Sequence, residues 1–272
     1  MNTLGQRELV KAVRHYFKKA GRDDLPWRKT QTPYRVFVSE VMLQQTQVER
    51  VIPKFTAFIK RFPNVTKLAE ANMGDVYALW AGLGYNRRAR YLRDAAKIIE
   101  EKYKGVIPKN TAELMELPGI GPYTAGAISS FAYGNPEAFV ETNLRTAVLH
   151  HCFKDAAAVS DERILGVLRN LEPKQGGEAK DWYAALMDYG AYLKSQGIRL
   201  NAKSAHYTKQ SVFKGSLREV RGALLREVAK KPLTEQALAA LPFPATLKKK
   251  ALTALSHEGM LEQKKNKWVL AK

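Results

Sequence analysis

The sequence predicts a mainly α fold that ends in a small mixed segment, and three observations carry this reading. Apolar residues recur at steps of three and four, as at Ala89, Leu92, Ala96, Ile99 and Tyr103, which marks one face of a helix. Turn signals fall at Pro26, Pro33, Pro53, Pro63, Gly84, Pro108, Pro118 to Gly121, Gly134-Asn135-Pro136 and Gly176-Gly177, leaving segments of ordinary helix length between them. No convincing alternating run of the strand type precedes Gly259. A chain of 272 residues suits one large domain or a large one with a small appendage. We expect the helical domain to close near residue 212.

Beyond it, SLREVRGALLREVAKK reads as a helix, PLTEQALAAL as a short second one, and PATLKKKALTALSHEG as a third that stops at a glycine. MLEQ, KKNK and KWVL then form a hairpin with a basic tip. Three helices and a hairpin are the order of a winged helix-turn-helix, whose third helix can enter a major groove. Lys248, Lys249 and Lys250 on that helix suit phosphate contacts better than base reading. A winged fold also serves as a protein adaptor, so both partners stay open.

Composition narrows the partner. The 45 Lys and Arg against 26 Asp and Glu leave a net charge of +19, an excess that points to a polyanion or a membrane surface, nucleic acid first. The first 210 residues hold 32 cations and 21 anions, and the last 62 hold 13 and 5. From Tyr189 to Arg218 there is no acid, while Lys194, Arg199, Lys203, Lys209, Lys214 and Arg218 supply cations. This stretch is either a solvated linker or a phosphate-tracking loop. The single Cys152 excludes a disulfide framework and a cysteine-held zinc or iron-sulfur site, so we expect a reducing, intracellular setting: cytoplasmic and nucleoid-associated if the source is prokaryotic. The N-terminus lacks the apolar core of a signal peptide, and no run is long enough to span a membrane.

Two segments carry chemistry. In LPGIGPYTAGAI, Leu117 to Ile128, a Gly-x-Gly turn opens a helix and aims unpaired N–H groups outward, a shape that a DNA phosphate satisfies and that also occurs in plain helix-helix turns. In PYRVFVSEVMLQQTQV, Glu40 stands in a helix among Val36, Phe37, Val38, Val41, Met42 and Leu43. Desolvation there raises the carboxyl pKa and suits it to donate a proton, although a buried glutamate can also simply tie helices together.

LPWRKTQTPYRVFVSEVMLQQTQVERVIPKF, LWAGLGYNRRARYLRDAA and LPGIGPYTAGAISSFAYG, in that order, resemble the adenine DNA glycosylases of the MutY type, within the helix-hairpin-helix superfamily that includes endonuclease III. The resemblance runs from about Leu25 to Leu193. It implies a two-lobed helical domain over residues 1–212, with a six-helix lobe at about 30–137 and a second lobe from 1–29 plus 138–212, followed by a winged-helix-like domain at 213–272. It further implies a base flipped out of double-stranded DNA, namely adenine opposite 8-oxoguanine or guanine, and hydrolysis of its glycosidic bond.

Residue by residue, the resemblance makes Glu40 the general acid and Glu141 the carboxylate beside the sugar cation, with Asn143 in the place of the family's asparagine. The family has aspartate where Glu141 stands, so this chain places one more methylene there. Arg28, Leu43 and Asp188 would line the base pocket. Tyr123 replaces the lysine of lyase relatives, which implies hydrolysis without strand cleavage. Tyr85 matches the aromatic wedge, and Asn86 departs from the usual second tyrosine. Gln45 and Thr46 would lie near the opposite base, while Arg88, Pro118, Gly119, Gly121 and Thr124 are expected to contact DNA.

Relatives carry a four-iron four-sulfur cluster on four cysteines after the motif that here reads MDYGAYLK, and none follows it in this chain. We therefore expect no cluster and no metal ligated by side chains, with a monovalent cation on hairpin carbonyls as an option. Lys203, Lys209 and Arg199 would take over phosphate contacts. The expected protein is a monomeric, monofunctional glycosylase that does not engage membranes. The alternatives are a glycosylase for mismatched thymine or uracil, a DNA-binding protein without catalysis and, more remotely, a winged-helix regulator.

Overall fold

The computed structural model describes residues 3–171, 178–204 and 212–271. The helices follow in the order α1 Thr3–Ala20, α2 Pro26–Lys29, α3 Pro33–Leu43, α4 Val48–Arg61, α5 Val65–Ala69, α6 Met73–Trp80, α7 Arg87–Tyr103, α8 Thr111–Met115, α9 Pro122–Tyr133, α10 Thr142–Cys152, α11 Asp161–Leu171 and α12 Glu178–Ser195. A short 3-10 turn, Asn201–Lys203, comes next. The C-terminal part adds α13 Leu217–Lys230, β1 Leu233–Thr234, α14 Glu235–Ala239, α15 Ala245–His257, β2 Leu261–Lys264 and β3 Lys267–Leu270. Among the described residues no helix is long and apolar enough to cross a membrane.

Local chemistry explains most helix starts. Asn64, Asn72, Asn110, Ser216 and Thr234 each accept a backbone N–H of the first turn that follows, satisfying a donor that has no partner inside the helix. Pro26, Pro33 and Pro122 open helices, where a missing N–H costs nothing. Pro53 departs from expectation: it lies inside α4 rather than at a turn. It removes one ladder hydrogen bond, and burial of Val51, Phe55 and Phe58 along one face keeps the helix together.

The chain divides into two units, one of Met1–Glu40, Pro108–Glu116 and Ile120–Lys209, the other of Val41–Ile107, Leu117–Gly119 and Gln210–Lys272. This grouping differs from the lobes expected from sequence. α9 joins α10 and α12, and the C-terminal segment joins α4 to α7.

In the first unit α10, α12 and α1 pack together around Leu9, Val13, Leu144, Val148, Tyr183 and Leu186. The closest approach is at Gly190 of α12, where an added Cβ would stand 2.1 Å from the Asn143 carbonyl oxygen of α10. No rotamer relieves a clash with backbone. Gly190→Ala is therefore expected to cost about 3 kcal/mol, the upper end for overpacking, and to displace the start of α10. Urea unfolding checks this, and a loss below about 1 kcal/mol would mean that the helices slide apart freely.

In the second unit Phe58, Phe62, Trp80, Leu92 and Ile99 form the centre. α13 packs on α6, on α15 and on β3. The three strands form an antiparallel sheet in the order β1-β3-β2, with Leu233 opposite Trp268 and Leu261 opposite Leu270. The hairpin tip, Lys265-Asn266, has positive φ at both residues (47° and 58°), as the right-handed twist of paired strands favours. β1 falls where the sequence reads as helix: two residues are too short to show alternation. Lys248 is a second correction. It is buried, and its Nζ donates to the carbonyls of Leu238, Ala239 and Leu241 at 2.9, 2.9 and 3.2 Å, so it closes the end of α14 and does not face a phosphate.

Candidate active site

Glu40, from the middle of α3, is 4% exposed. Tyr123, in the first turn of α9, donates its hydroxyl to Glu40 Oε2 at 3.2 Å, and among the described residues Oε1 accepts no hydrogen bond. Burial pushes the Glu40 carboxyl up to about 7; the Tyr123 hydrogen bond pulls it down, the charge of Glu141 pushes it further up, and Arg28 pulls it down. Near neutrality a large share of Glu40 therefore holds its proton. Burial, and then the neighbouring Glu40 and Glu141, keep the Tyr123 phenol far above its ordinary range, so it stays a donor.

Glu141 precedes α10 and folds back over the helix start, its Oε1 accepting from Asn143 N at 2.6 Å and Leu144 N at 2.7 Å. The longer side chain thus becomes the cap, a role more often filled by aspartate or serine, and its charge sits at the positive end of the helix dipole. Burial raises its pKa, and the two amides, Lys194 and Arg145 oppose that. Lys194 donates Nζ to Asn143 Oδ1 at 3.0 Å, which fixes which end of that amide carries the oxygen. Lys194, read from sequence as part of a basic stretch, instead serves the site.

Arg28 and Asp188, expected to line the base pocket, are each other's partners. The Asp188 side chain is 0% exposed. It accepts Arg28 Nη1 at 2.7 Å and Nη2 at 3.0 Å, and also Arg22 through Nε at 2.6 Å and its backbone N at 2.9 Å. Burial alone would raise its pKa; the two arginines outweigh it and hold the carboxyl below its ordinary value. Arg22 was not legible as a site residue, since 166 residues separate it from Asp188.

Leu43, at the end of α3, belongs to the other unit, together with Gln45, Thr46, Tyr85 and Arg88. Arg88 is buried and does not face solvent: its Nη1 donates to Val41 O and Met42 O at 2.8 and 2.9 Å, and its Nη2 to Thr46 Oγ1, Leu83 O and Gly84 O. It ties two loops together. The Thr46 hydroxyl is occupied by the same network, donating to Leu83 O at 3.2 Å. Gln45 is exposed at the tip of its loop with a φ of 54°. Tyr85, 37% exposed with a φ of 46°, accepts Arg218 Nη1 on its hydroxyl at 2.9 Å. Sequence gave no hint of Arg218 in this place.

The turn from α8 to α9 has the expected shape. Gly119 takes a φ of 78° and an added Cβ would meet Tyr91 at 2.9 Å, so only glycine fits. Pro118 is half-buried, and Gly121 is exposed at the start of α9 with no atom near an added Cβ. Thr124, expected to contact DNA, is buried, with the residue 2% exposed. Lys203 donates to Lys154 O at 2.8 Å and its carbonyl accepts from Val159 N at 2.9 Å, so it anchors its segment as well as carrying charge. Lys209 lies outside the described residues. An iron-sulfur cluster does not fit this chain: the one cysteine, Cys152, is buried in α10 with its thiol pushed up to about 11 by burial.

Residues 38–181 match the family described as HhH-GPD superfamily base excision DNA repair protein. An adenine DNA glycosylase of Mycolicibacterium smegmatis is 36% identical over 262 residues, 89% of each chain. Those of Buchnera aphidicola subsp. Baizongia pistaciae and Homo sapiens are 41% and 43% identical over 151 and 130 residues, which cover 56% and 44% of this chain but only 42% and 24% of the relatives. The chain thus spans less than half the length of these two curated relatives. Among solved structures, a thermostable thymine-DNA glycosylase superimposes with a TM-score of 0.61 at 23% identity, over 69% of this chain and 86% of the other. An endonuclease III–DNA covalent intermediate gives 0.56 at 19%, over 71% and 86%, and both show the shared fold. With the helix-hairpin-helix turn, the Glu40 and Tyr123 pair and a relative matched along nine tenths of both chains, the protein belongs to the HhH-GPD superfamily of base excision DNA repair proteins, as a MutY-type member.

Proposed function

We propose that the chain is a monofunctional adenine DNA glycosylase that removes adenine paired with 8-oxoguanine or guanine. The observation that carries this is Glu40: a carboxyl buried among apolar residues, pinned on one oxygen by Tyr123, and protonated to a large extent at neutral pH. The names of the relatives supply the base. In this reading Oε1 of Glu40 gives its proton to a ring nitrogen of the flipped adenine. The glycosidic C–N bond breaks with its electron pair on the base, water adds to the sugar carbon, and the water's proton leaves. In this reading Glu141 is the second carboxyl, which stabilises the positive charge that develops on the sugar. Tyr123 has no amine, so no Schiff base forms and the strand stays whole.

DNA would be held by the α8–α9 turn, whose amides meet a phosphate, and by Tyr85 and Gln45 on their loops. A monovalent cation could sit on the hairpin carbonyls. Gly119 O already accepts Gln44 Nε2 at 3.2 Å and keeps one lone pair for it. We read residues 213–272, with three helices and a hairpin, as a winged-helix domain.

The test is incubation of the full chain with duplexes carrying adenine opposite 8-oxoguanine, guanine or thymine, followed by alkali to reveal abasic sites. Excision confined to the first two, without strand cleavage before alkali, is expected. No excision from any of them, with release of thymine or uracil from mismatches instead, would replace the substrate; no release at all would end the enzymatic reading.

A further inference from the structure

The outer face of α15 carries a stripe of hydrogen-bond donors. Lys248, Ala251, Leu252 and Leu255 are buried, which turns Thr246, Lys249, Lys250, Thr253 and His257 outward, at the three- and four-residue steps that keep them on one face. The stripe runs over about 16 Å at the helical rise of ~1.5 Å per residue, the length of roughly five nucleotides of one strand. It borders a groove of about 630 Å³ shared with Arg87 at the start of α7.

Glu258 is the one acidic residue lining that groove, and two cations already hold it. Arg221 donates to its Oε1 and Oε2 at 2.7 and 2.5 Å, and Arg87 to Oε1 at 2.5 Å. Counting Arg221 with Arg87, Lys249 and Lys250, cations outnumber the carboxylate four to one. The same network fastens the end of α15 to α7 and α13, so the stripe is fixed in place. Most of the groove's exposed surface is hydrocarbon, and Arg87, Lys249, Lys250 and His257, which line it, end in donors. A straight row of donors matches a regular row of phosphates better than it matches an irregular acidic patch on a protein.

We propose that this stripe, with Arg87, is a phosphate-tracking surface through which the C-terminal segment grips duplex DNA. The inference rests on the reading of the chain as a DNA-acting protein.

The test uses the full chain and its Lys249→Ala/Lys250→Ala double variant, both residues being exposed. Binding of an undamaged 30-base-pair duplex is followed by fluorescence anisotropy between 50 and 200 mM NaCl. The variant is expected to bind about tenfold more weakly at 100 mM and to show a plot of log K against log salt that is shallower by about 2, one phosphate for each lysine. Single-turnover excision at saturating protein should stay within about twofold. Unchanged affinity and slope would overturn the proposal and leave the stripe to an acidic protein. Unchanged affinity with lost excision would overturn it too, by placing the lysines in catalysis. If the native chain released no base while the variant still lost slope, the DNA surface would stand and the glycosylase reading would fall.

Discussion

Glu40→Gln is expected to lower single-turnover excision of adenine by roughly 10²- to 10⁴-fold, the range for loss of a general acid, while making the protein more stable at pH 8. Both effects come from the same burial. The acid must hold its proton, so the native rate should fall about tenfold per pH unit above the folded value of about 7. For stability the folded carboxyl binds a proton that the unfolded one, with its ordinary value of 4.5, releases. Stability therefore falls as pH rises from about 4.5 to about 7 and levels off beyond, a change of roughly 3 kcal/mol. Glutamine keeps the acceptor for Tyr123 and removes the ionisation. Urea unfolding at pH 4 and pH 8 should show the variant equal to the native protein at the first and ahead by about 3 kcal/mol at the second. A variant that kept the native rate, or a rate flat from pH 6 to 9, would remove Glu40 from the proton transfer.

The largest loss of stability is expected at Asp188. Removing its charge in Asp188→Asn leaves Arg28, only 12% exposed, with an unpaired guanidinium, and Arg22 loses the same partner. Breaking a buried pair from one side costs about 3–5 kcal/mol, or on the order of 10 °C in Tm for a chain of this size. Arg28→Met in the same protein should recover part of it, because the stranded charge is then gone. Thermal unfolding followed by circular dichroism measures both. A loss under about 1 kcal/mol would show that the arginines are well solvated without the aspartate. The depressed Asp188 pKa adds a sign: its contribution is present above the ordinary value near 3.8 and disappears as pH falls through the lower folded value.

Much of this is legible in the sequence. The periodicity of α7, the glycine turn into α9 and the surroundings of Glu40 are local signals, and each appears in the structure where the residues place it. What escaped is long-range or opportunistic. Arg22 meets Asp188 and Lys194 meets Asn143 across 166 and 51 residues, distances at which spacing says nothing. Charge misled in a consistent way. Lys203 and Lys248 read as phosphate contacts and Arg88, by resemblance, as a DNA contact, yet all three donate to backbone carbonyls, the acceptors left over at helix ends and loops. Thr124, a DNA contact by the resemblance, lies in the first turn of a helix that is buried nearly all round. Pro53 shows the converse, a local breaker overruled by an apolar face.

The loops joined by Arg88 hold two side chains, Gln45 and Tyr85, in left-handed backbone conformations that a free chain visits seldom. Because five acceptors from the end of α3 and the two loops converge on one guanidinium, that unfavourable geometry is set once, during folding, and on the proposed function it precedes each encounter with DNA. A probe prepared in this way loses little conformational entropy on contact, so each base step can be sampled by collision without waiting for a loop to order itself. On the proposed function, which calls for inspection of many intact pairs for each faulty one, the expectation is that sampling speed follows diffusion along the duplex rather than the protein's own rearrangement.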